Sequence, residues 1–568
     1  KLAHTAFLRG WQLRRILGDH LRFINVSRTT VPTSERAGSI PHPRPKPPPK
    51  AACGTIAARF FGYRRMTTLA ADQFADDADV VIVGAGNAAL CAALSAAETG
   101  ARVVVLERAP EAERGGNSRF TAGGMRFVYN NVDDLRQIMP ELTDDEIAAA
   151  DFGTYTREAF YDDMGRVTNY RADPALVETL IENSYPTLSW MRGKGVRFLP
   201  MYGRQAFRVD GKFVFWGGLT VEAWGGGEGL IENLHKACAD NGVEVRYEAR
   251  ALGLITDDDG VQGVRIKQSG HSSNIRCSNV VLAAGGFEAN AEWRTRYLGP
   301  GWELAKVRGT RFNTGDGIRM GLDAGAAPTG NWSGCHAVGW DNNAPPNGDL
   351  AVGDGFQKHS YPLGIMVNAE GKRFVDEGAD FRNYTYARYG RVILNQPQQF
   401  AWQVFDAKVA ELLRDEYRIR QVTKVEAGSL DELAAKLEGV SPEGFLATVA
   451  DYNASIDTEV PFDPSVKDGR GTRGLEIPKS NWANPLDTPP FTAFQITCGI
   501  TFTFGGLTVD TDARVIDTDG HAIPGLYAAG ELVGGLFYFN YPGGTGLTSG
   551  SVFGRIAGAG AGRRASGS

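Results

Sequence analysis

Long apolar runs are missing from this chain. No stretch of its 568 residues approaches the ~18 to 20 apolar residues that cross a bilayer, so the sequence predicts no membrane span. Cysteine is scarce. Cys53, Cys91, Cys238, Cys277, Cys335 and Cys498 lie far apart with no CxxC pair. That spacing argues against an iron–sulfur cluster, a zinc site or a disulfide framework, and it suits a reducing compartment. No metal site is expected, and the chain reads as cytoplasmic, reaching a membrane only through a partner. A net positive charge is also lacking. The formal charge is −6, and its distribution is uneven. Residues 1–65 hold thirteen Lys or Arg against two acids, which leaves the remainder at −17. A body of that sign is not a general nucleic-acid binder.

Hydrophobic (42%) and charged (22%) contents are ordinary, so the chain can bury a core, and its length favours more than one domain. Residues 1–65 do not read as part of that core. Pro41 to Pro49 carries six prolines among basic residues, a polyproline-like spacer. Met66 stands just ahead of the first strand as a natural start. We read a basic, Pro-rich extension over residues 1–75, disordered or upstream of the true start; a targeting sequence is the alternative.

What the chain does have is glycine, 71 residues of it, arranged around strands. Val80 to Val83 is an unbroken apolar run that predicts a buried parallel strand. Gly84 and Gly86 follow at once, then Asn87, Ala88 and Ala89, where a small third residue allows a helix to pack closely on the strand. Phosphates belong at that helix's N-terminus, where unpaired N–H groups and the dipole favour negative charge. Val103 to Leu106 is the second strand and Glu107, followed by Arg108, ends it, at about the ~20-residue distance of an acid that binds a ribose hydroxyl. Strand, turn, helix, strand and acid in this order predict a dinucleotide site.

Further glycine loops extend the same reading. Gly115-Gly116-Asn117-Ser118 and Gly123-Gly124 suit backbone pressed against a flat ligand. Residues 130–200 read as mostly helical, with a capped start at Asp144 to Glu146 and a helix over Pro174 to Trp190. Gly229 to Asn241 predicts an amphipathic helix with His235 on its surface. A meander is expected over Val243 to Tyr247, Ala251 to Thr256, Val261 to Lys267 and Asn274 to Cys277, leading to the strand Val280 to Leu282 and the small residues Ala284, Gly285 and Gly286. Asn313 to Gly317 opens a helix. Residues 330–495 are richer in aromatics, Arg, Asn and Pro and read as an inserted domain. Hairpins are expected over Gly364 to Val375 and Leu507 to Asp517, and helices over Leu430 to Leu437 and Pro442 to Asn453. The strand Ile523 to Ala529 ends at Gly530 and Glu531, and Gly543, Gly544, Thr545, Gly546 and Leu547 enter a helix over Thr548 to Ala561. The fold class is α/β: a Rossmann-like dinucleotide-binding domain over 76–329, completed by 496–562, with an α+β capping domain inserted over 330–495 and a tail over 563–568.

These segments together resemble the flavoprotein family of fumarate reductase and succinate dehydrogenase. The resemblance covers residues 79 to about 560 and rests on six motifs in family order: the N-terminal glycine turn, the GGN loop, the strand ending in Ala283-Ala284-Gly285-Gly286, the Asn313-Thr314-Gly315-Asp316-Gly317 helix start, Gly371-Lys372-Arg373-Phe374-Val375-Asp376-Glu377, and Ile523 to Glu531. Gly371 to Thr385 and Gly535 to Gly544 look most like the tricarballylate dehydrogenase branch. The resemblance implies FAD on the glycine loops, with Ala251 among the contacts, the ribose on Glu107 and the ribityl chain near Gly530 and Glu531. Asn117 stands where succinate dehydrogenases join FAD to a histidine, so the flavin is expected to be non-covalent.

For catalysis, the resemblance places Arg382 at the position of the proton-donating arginine, one residue further along. A free guanidinium stays charged, so a relay through Glu377, Asp376 or Asp380 is expected, with Arg388 and Arg391 as alternates. His336 falls at about the spacing of a substrate-binding histidine, and His359 has no clear counterpart. Two positions depart from the family. Thr501-Phe502-Thr503-Phe504 replaces a histidine-bearing stretch, and Tyr541 replaces an arginine, so two carboxylate-binding groups are missing. Thr501 and Thr503 remain available as donors to a carboxylate. Fumarate and succinate are thereby disfavoured. Tyr541-Pro542-Gly543 also resembles the tyrosine turn of 3-ketosteroid Δ1-dehydrogenases, where a phenol holds a ketone. The expected function is FAD-dependent oxidation of a CH–CH bond, tricarballylate to cis-aconitate. The alternatives are a ketosteroid-dehydrogenase-like or fumarate-reductase-like enzyme, or a flavin-binding electron-transfer partner without turnover. The expected partners are a small polycarboxylate and a separate iron–sulfur or quinone-linked electron carrier.

Overall fold

A computed structural model describes residues 74–567. Residues 1–73 of the expected extension, with the polyproline spacer and Cys53, lie outside them, while Ala75 already donates its N–H to the Asn274 carbonyl. Strand β1 (Val80–Val83) is buried along its whole length, as an apolar run without alternation requires when both sheet faces are covered. Helix α1 (Asn87–Ala97) follows, then β2 (Val103–Leu106). These strands and β3 (Asn279–Leu282) pair in parallel, so that the sheet runs Glu244–Arg246, β2, β1, β3, Ala522–Ala528, Arg514–Ile516, with only the last strand antiparallel. All the strand ends that carry Gly84, Glu107, Ala283 and Ala529 therefore open on one edge of the sheet.

A second sheet pairs Ala249–Asp257, Gly260–Gln268 and His271–Arg276 in antiparallel order. The expected first strand of this meander, near residue 245, instead joins the parallel sheet beside β2. The capping part is built on two long strands, β4 (Pro328–Asp341) and β5 (Phe491–Leu507), paired from Pro328↔Leu507 to Asp341↔Ile496. The positions 329/330 and 495/496 fall inside these strands, so one ribbon runs from the cofactor side into the cap. Helix α2 (Tyr386–Leu394) packs on that ribbon. The backbone of Gly390 comes so near Ala337 that a Cβ there would sit 2.4 Å from its carbonyl carbon.

The terminal helix α3 (Thr545–Ser566) lies against α1. It begins three residues earlier than the pattern suggested and takes in most of the expected tail. Its interior glycines, poor helix formers, are explained by contact. A Cβ at Gly554 would lie 2.4 Å from the Ala88 carbonyl oxygen, and one at Gly558 2.0 Å from that of Ala92.

Three expectations are corrected. The helix Gly226–Asp240 buries His235 instead of exposing it, because the ring lies inside, near Arg114 and Arg119. The Gly364 to Val375 hairpin reduces to the strand Ile365–Val367 and a single bridge, Val367↔Arg373. Arg373 turns its guanidinium to Glu377 instead of extending a ladder. The late hairpin likewise keeps one bridge, Val509↔Val515, while Arg514–Ile516 pairs with Ala522–Ala528.

Candidate active site

One elongated cavity, open to solvent and holding about 1820 Å³ of space free of protein atoms with the solvent at its mouth included, runs from the carboxyl edge of the parallel sheet to the underside of the cap. At the sheet end, β1 delivers Gly84 at φ +107°, and a Cβ there would meet the Ala283 carbonyl oxygen at 2.4 Å. Only glycine fits that turn. Gly86 then caps α1, whose Asn87 N–H donates to Ser118 Oγ at 3.1 Å. The Asn87 side-chain amide donates to the Leu547 carbonyl and to Ser551 Oγ, both at 2.9 Å, which ties α1 to α3. Both helices thus present their N-termini to the same cavity, where backbone N–H groups favour an anion.

Glu107 accepts the Ala85 N–H at 3.0 Å and the Ala109 N–H at 2.8 Å, and its burial pushes the carboxyl pKa up. Arg108 is spent inside the protein, on the Phe312 carbonyl, Thr314 Oγ1 and Asp316. Asn117 is also spent. Its amide donates to Glu288 at 2.5 Å and to the Thr501 carbonyl at 2.6 Å, and its oxygen accepts the Thr310 N–H at 2.8 Å. Glu531 accepts the Thr503 N–H at 2.8 Å.

Of the expected cofactor residues, Gly84, Gly86, Asn87, Ala88, Glu107, Arg108, Gly116, Asn117, Ser118, Gly124, Ala251, Ala284, Gly285, Gly530, Glu531, Gly544, Gly546 and Leu547 line the cavity. Ala89, Gly123, Gly286 and Thr545 lie just behind its wall. Ala89 and Thr545 are fully buried, and a Cβ on Gly123 or Gly286 would strike Gly226 or Glu531.

At the cap end the same cavity is lined by His336, His359, Arg382, Tyr386 and Tyr541. His336 is buried against the rings of Tyr386, Phe502 and Tyr541, and neither ring nitrogen has a protein partner. Burial, then the Arg308 charge, hold its pKa well below the usual range, so the ring is neutral. His359 is neutral for the same first reason, with Arg382 the nearest added charge. Its Nδ1 faces Arg382 Nη1 at 3.5 Å. A guanidinium only donates, so Nδ1 accepts and the Nε2–H is left unpaired, because Nε2 has no other partner. The Tyr386 and Tyr541 hydroxyls hydrogen-bond to each other.

Three guanidiniums surround these rings. Arg308 and Arg204 both pair with the one carboxylate of Asp354. Arg308 also donates to Thr501 Oγ1 at 3.3 Å. Arg382 donates to the Arg204 carbonyl at 2.8 Å, and its Nε has no partner. The expected relay carboxylates are engaged elsewhere. Glu377 is buried against Arg373, Asp376 accepts from Ser480, and Asp380 pairs with Arg166 and Lys467. The carboxylate whose charge Arg382 feels most is Glu416, whose two buried oxygens have no protein donor. Arg388 and Arg391 lie off the cavity; Arg391 donates to the Ser333 carbonyl. Thr503 bonds Glu531, leaving Thr501 nearer the arginines.

A family model described as a FAD binding domain matches residues 79–547. The chain belongs to that family. A probable fumarate reductase of Shewanella frigidimarina is 31% identical over 497 residues, covering 86% of this chain and 75% of the relative. A 4-oxocyclohexanecarboxylate 2-dehydrogenase of Sinomonas cyclohexanicum is 29% identical, covering 85% and 93%. The open conformation of a flavocytochrome c3 fumarate reductase superposes with a TM-score of 0.65 at 27% identity, covering 87% of this chain and 80% of that one. This FAD-binding chain is an oxidoreductase, and its residues fit the cofactor: two helix N-termini and a glycine-lined edge open on one long cavity. No helix among the described residues is long and apolar enough to cross a membrane.

Sequence reasoning missed several residues of this FAD enzyme. Arg204, Arg308, Asp354 and Glu416 come from four separate segments and carry no local motif. Glu288, next to Gly285-Gly286, was the most findable, because a charged residue directly after a buried strand and glycine turn has nowhere to be but inside. Arg126 is fully buried and donates to the Gly543 carbonyl at 2.8 Å, holding the turn that starts α3.

Proposed function

We propose that this enzyme oxidises a CH–CH bond of a small polycarboxylate, with tricarballylate to cis-aconitate as the reaction. The observation that carries the reading is the set of buried arginines at the cap end: Arg382 has no carboxylate hydrogen-bonded to it, and Arg308 and Arg204 share Asp354. Such groups bind carboxylates through paired N–H donors, and the neutral His359 Nε2–H adds another donor. Bound FAD would supply the two-electron acceptor. It is held without a covalent bond, since the Asn117 amide is not a nucleophile and is fully engaged.

Arg382 would first release one guanidinium proton toward the relay carboxylate and then, as the neutral guanidine, accept the proton leaving the neighbouring carbon. Glu416 takes the relay role expected of Glu377, Asp376 and Asp380. Electrons leave to a separate iron–sulfur or quinone-linked protein. The test is kcat/KM with a dye acceptor for tricarballylate, succinate and 4-oxocyclohexanecarboxylate. Tricarballylate should lead by roughly 10²-fold or more; a lead for either other compound would overturn the assignment.

A second reading has its own support. The Tyr386–Tyr541 hydroxyl pair suits a ketone oxygen, and one relative is named for a keto acid. Tyr541→Phe separates the two readings. For a ketone substrate, loss of an oxyanion donor costs ~10² to 10³ in kcat; for a polycarboxylate the loss stays under about tenfold.

A further inference from the structure

At the cavity wall lies a carboxyl pair, Glu531 lining it and Glu288 behind, that the proposed reaction does not use. Glu288 is 0% exposed. Its Oε1 accepts the side-chain amides of Asn117 at 2.5 Å and Asn313 at 2.6 Å. Its Oε2 is buried and receives no hydrogen from any donor. Burial, and then the neighbouring Glu531 carboxyl, push the Glu288 carboxyl well above the usual carboxylate range. Two neighbouring carboxyls, one of them fully buried, are not both ionised, so one keeps its hydrogen. Its owner follows from the donors. Glu531 is already served by the Thr503 N–H and hydroxyl and by the Gly286 N–H, which favour its ionised form. Glu288 has the oxygen with no donor.

We infer that Glu288 is a positioning residue of the FAD site: an un-ionised carboxylic acid that donates its hydrogen to Glu531 and thereby locks Asn117, Asn313 and Glu531 together. Those three residues come from three segments of the cavity wall, 117, 313 and 531, and all three line it. The other charged or titratable neighbours do not take over this role. Arg294 donates to the backbone carbonyls of Glu288 and Glu303, not to the carboxyl, and Cys335 is a buried thiol. When alkali removes the shared hydrogen, one proton passes to solvent and two carboxylates oppose each other across the wall. FAD affinity then falls.

The test uses FAD binding and not turnover. The Kd of FAD for the apoprotein is measured by flavin fluorescence from about pH 6 to about pH 10 for wild type, Glu288→Gln and Glu288→Leu. The Gln amide keeps an acceptor for Asn117 and Asn313 and a donor for Glu531, yet cannot ionise. Wild type should lose roughly tenfold or more in affinity toward alkaline pH, Glu288→Gln should be flat, and Glu288→Leu should bind at least about tenfold more weakly at every pH. An infrared band of un-ionised carboxyl present in wild type and lost in Glu288→Gln should accompany this. A flat wild-type profile, an unchanged alkaline loss in Glu288→Gln, or no such band would each overturn the inference. Should Glu288→Leu fail to fold, the Gln variant alone decides.

Discussion

Arg382 is held by a backbone carbonyl and the face of Trp216, and by no carboxylate, which leaves its charge directed at the cavity. Replacing it by Ala should lower substrate-dependent flavin reduction by ~10² or more while FAD stays bound; stopped-flow reduction of the holoprotein measures both. Reduction at the wild-type rate would remove Arg382 from the chemistry. The two site histidines give a prediction in pH. Burial holds both rings well below the ordinary His value, so kcat/KM should show no inflection near ~6.5. An inflection there that vanishes in His336→Asn would contradict the neutral-ring account. His235 gives a stability prediction. Burial pulls its pKa from 6.5 to about 4, so the unfolded state takes up a proton that the folded state refuses. Stability is therefore full above the ordinary His value and falls as pH drops from ~6.5 toward about 4, by on the order of 3 kcal/mol. His235→Gln should flatten that acid limb in urea titrations. At this scale the sequence was most legible where one residue type does one job, as at Gly84. It was least legible at Arg204, Arg308 and Asp354, where partners up to 150 residues apart make the site.

Elements were readable where pattern and burial coincide. The run Val80 to Val83 and the small residues after it announce a parallel strand and a closely packed helix, and that unit forms as expected. Pairing partners were harder. A strand's period of two says which face is buried and not which neighbour it joins, so Glu244–Arg246 was placed in the meander although it extends the parallel sheet. The Gly364 to Val375 hairpin failed because Arg373 has a buried acid to reach. The contact between α1 and α3 yields a direct test. Gly558→Ala would push a methyl group to 2.0 Å from the Ala92 carbonyl oxygen. Overpacking of that kind costs about 1–3 kcal/mol. Because both helices deliver N-termini to the cavity, the variant should lower Tm and weaken FAD retention together. A stabilised variant, as helix propensity alone predicts, would show that the helices separate easily.

On the scale of the whole molecule, charge is sorted. The chain beyond residue 65 carries a formal −17, yet the cap end of the cavity gathers Arg204 and Arg308 on Asp354 and Arg382 beside them with no carboxylate bonded to it. Concentrating positive charge in a buried pocket of an acidic body favours small anions over large polyanions. The cofactor half of this arrangement was legible because phosphate binding needs glycine turns at fixed spacing. The substrate half was not, because buried arginines are assembled by the fold. The measurement that tests the central claim most directly is anaerobic titration of the holoprotein with tricarballylate, followed at the oxidised-flavin absorbance band. The account predicts bleaching by tricarballylate and none by a 3-ketosteroid. Bleaching by the steroid with none by tricarballylate would contradict it and move the substrate site from the arginines to the tyrosine pair.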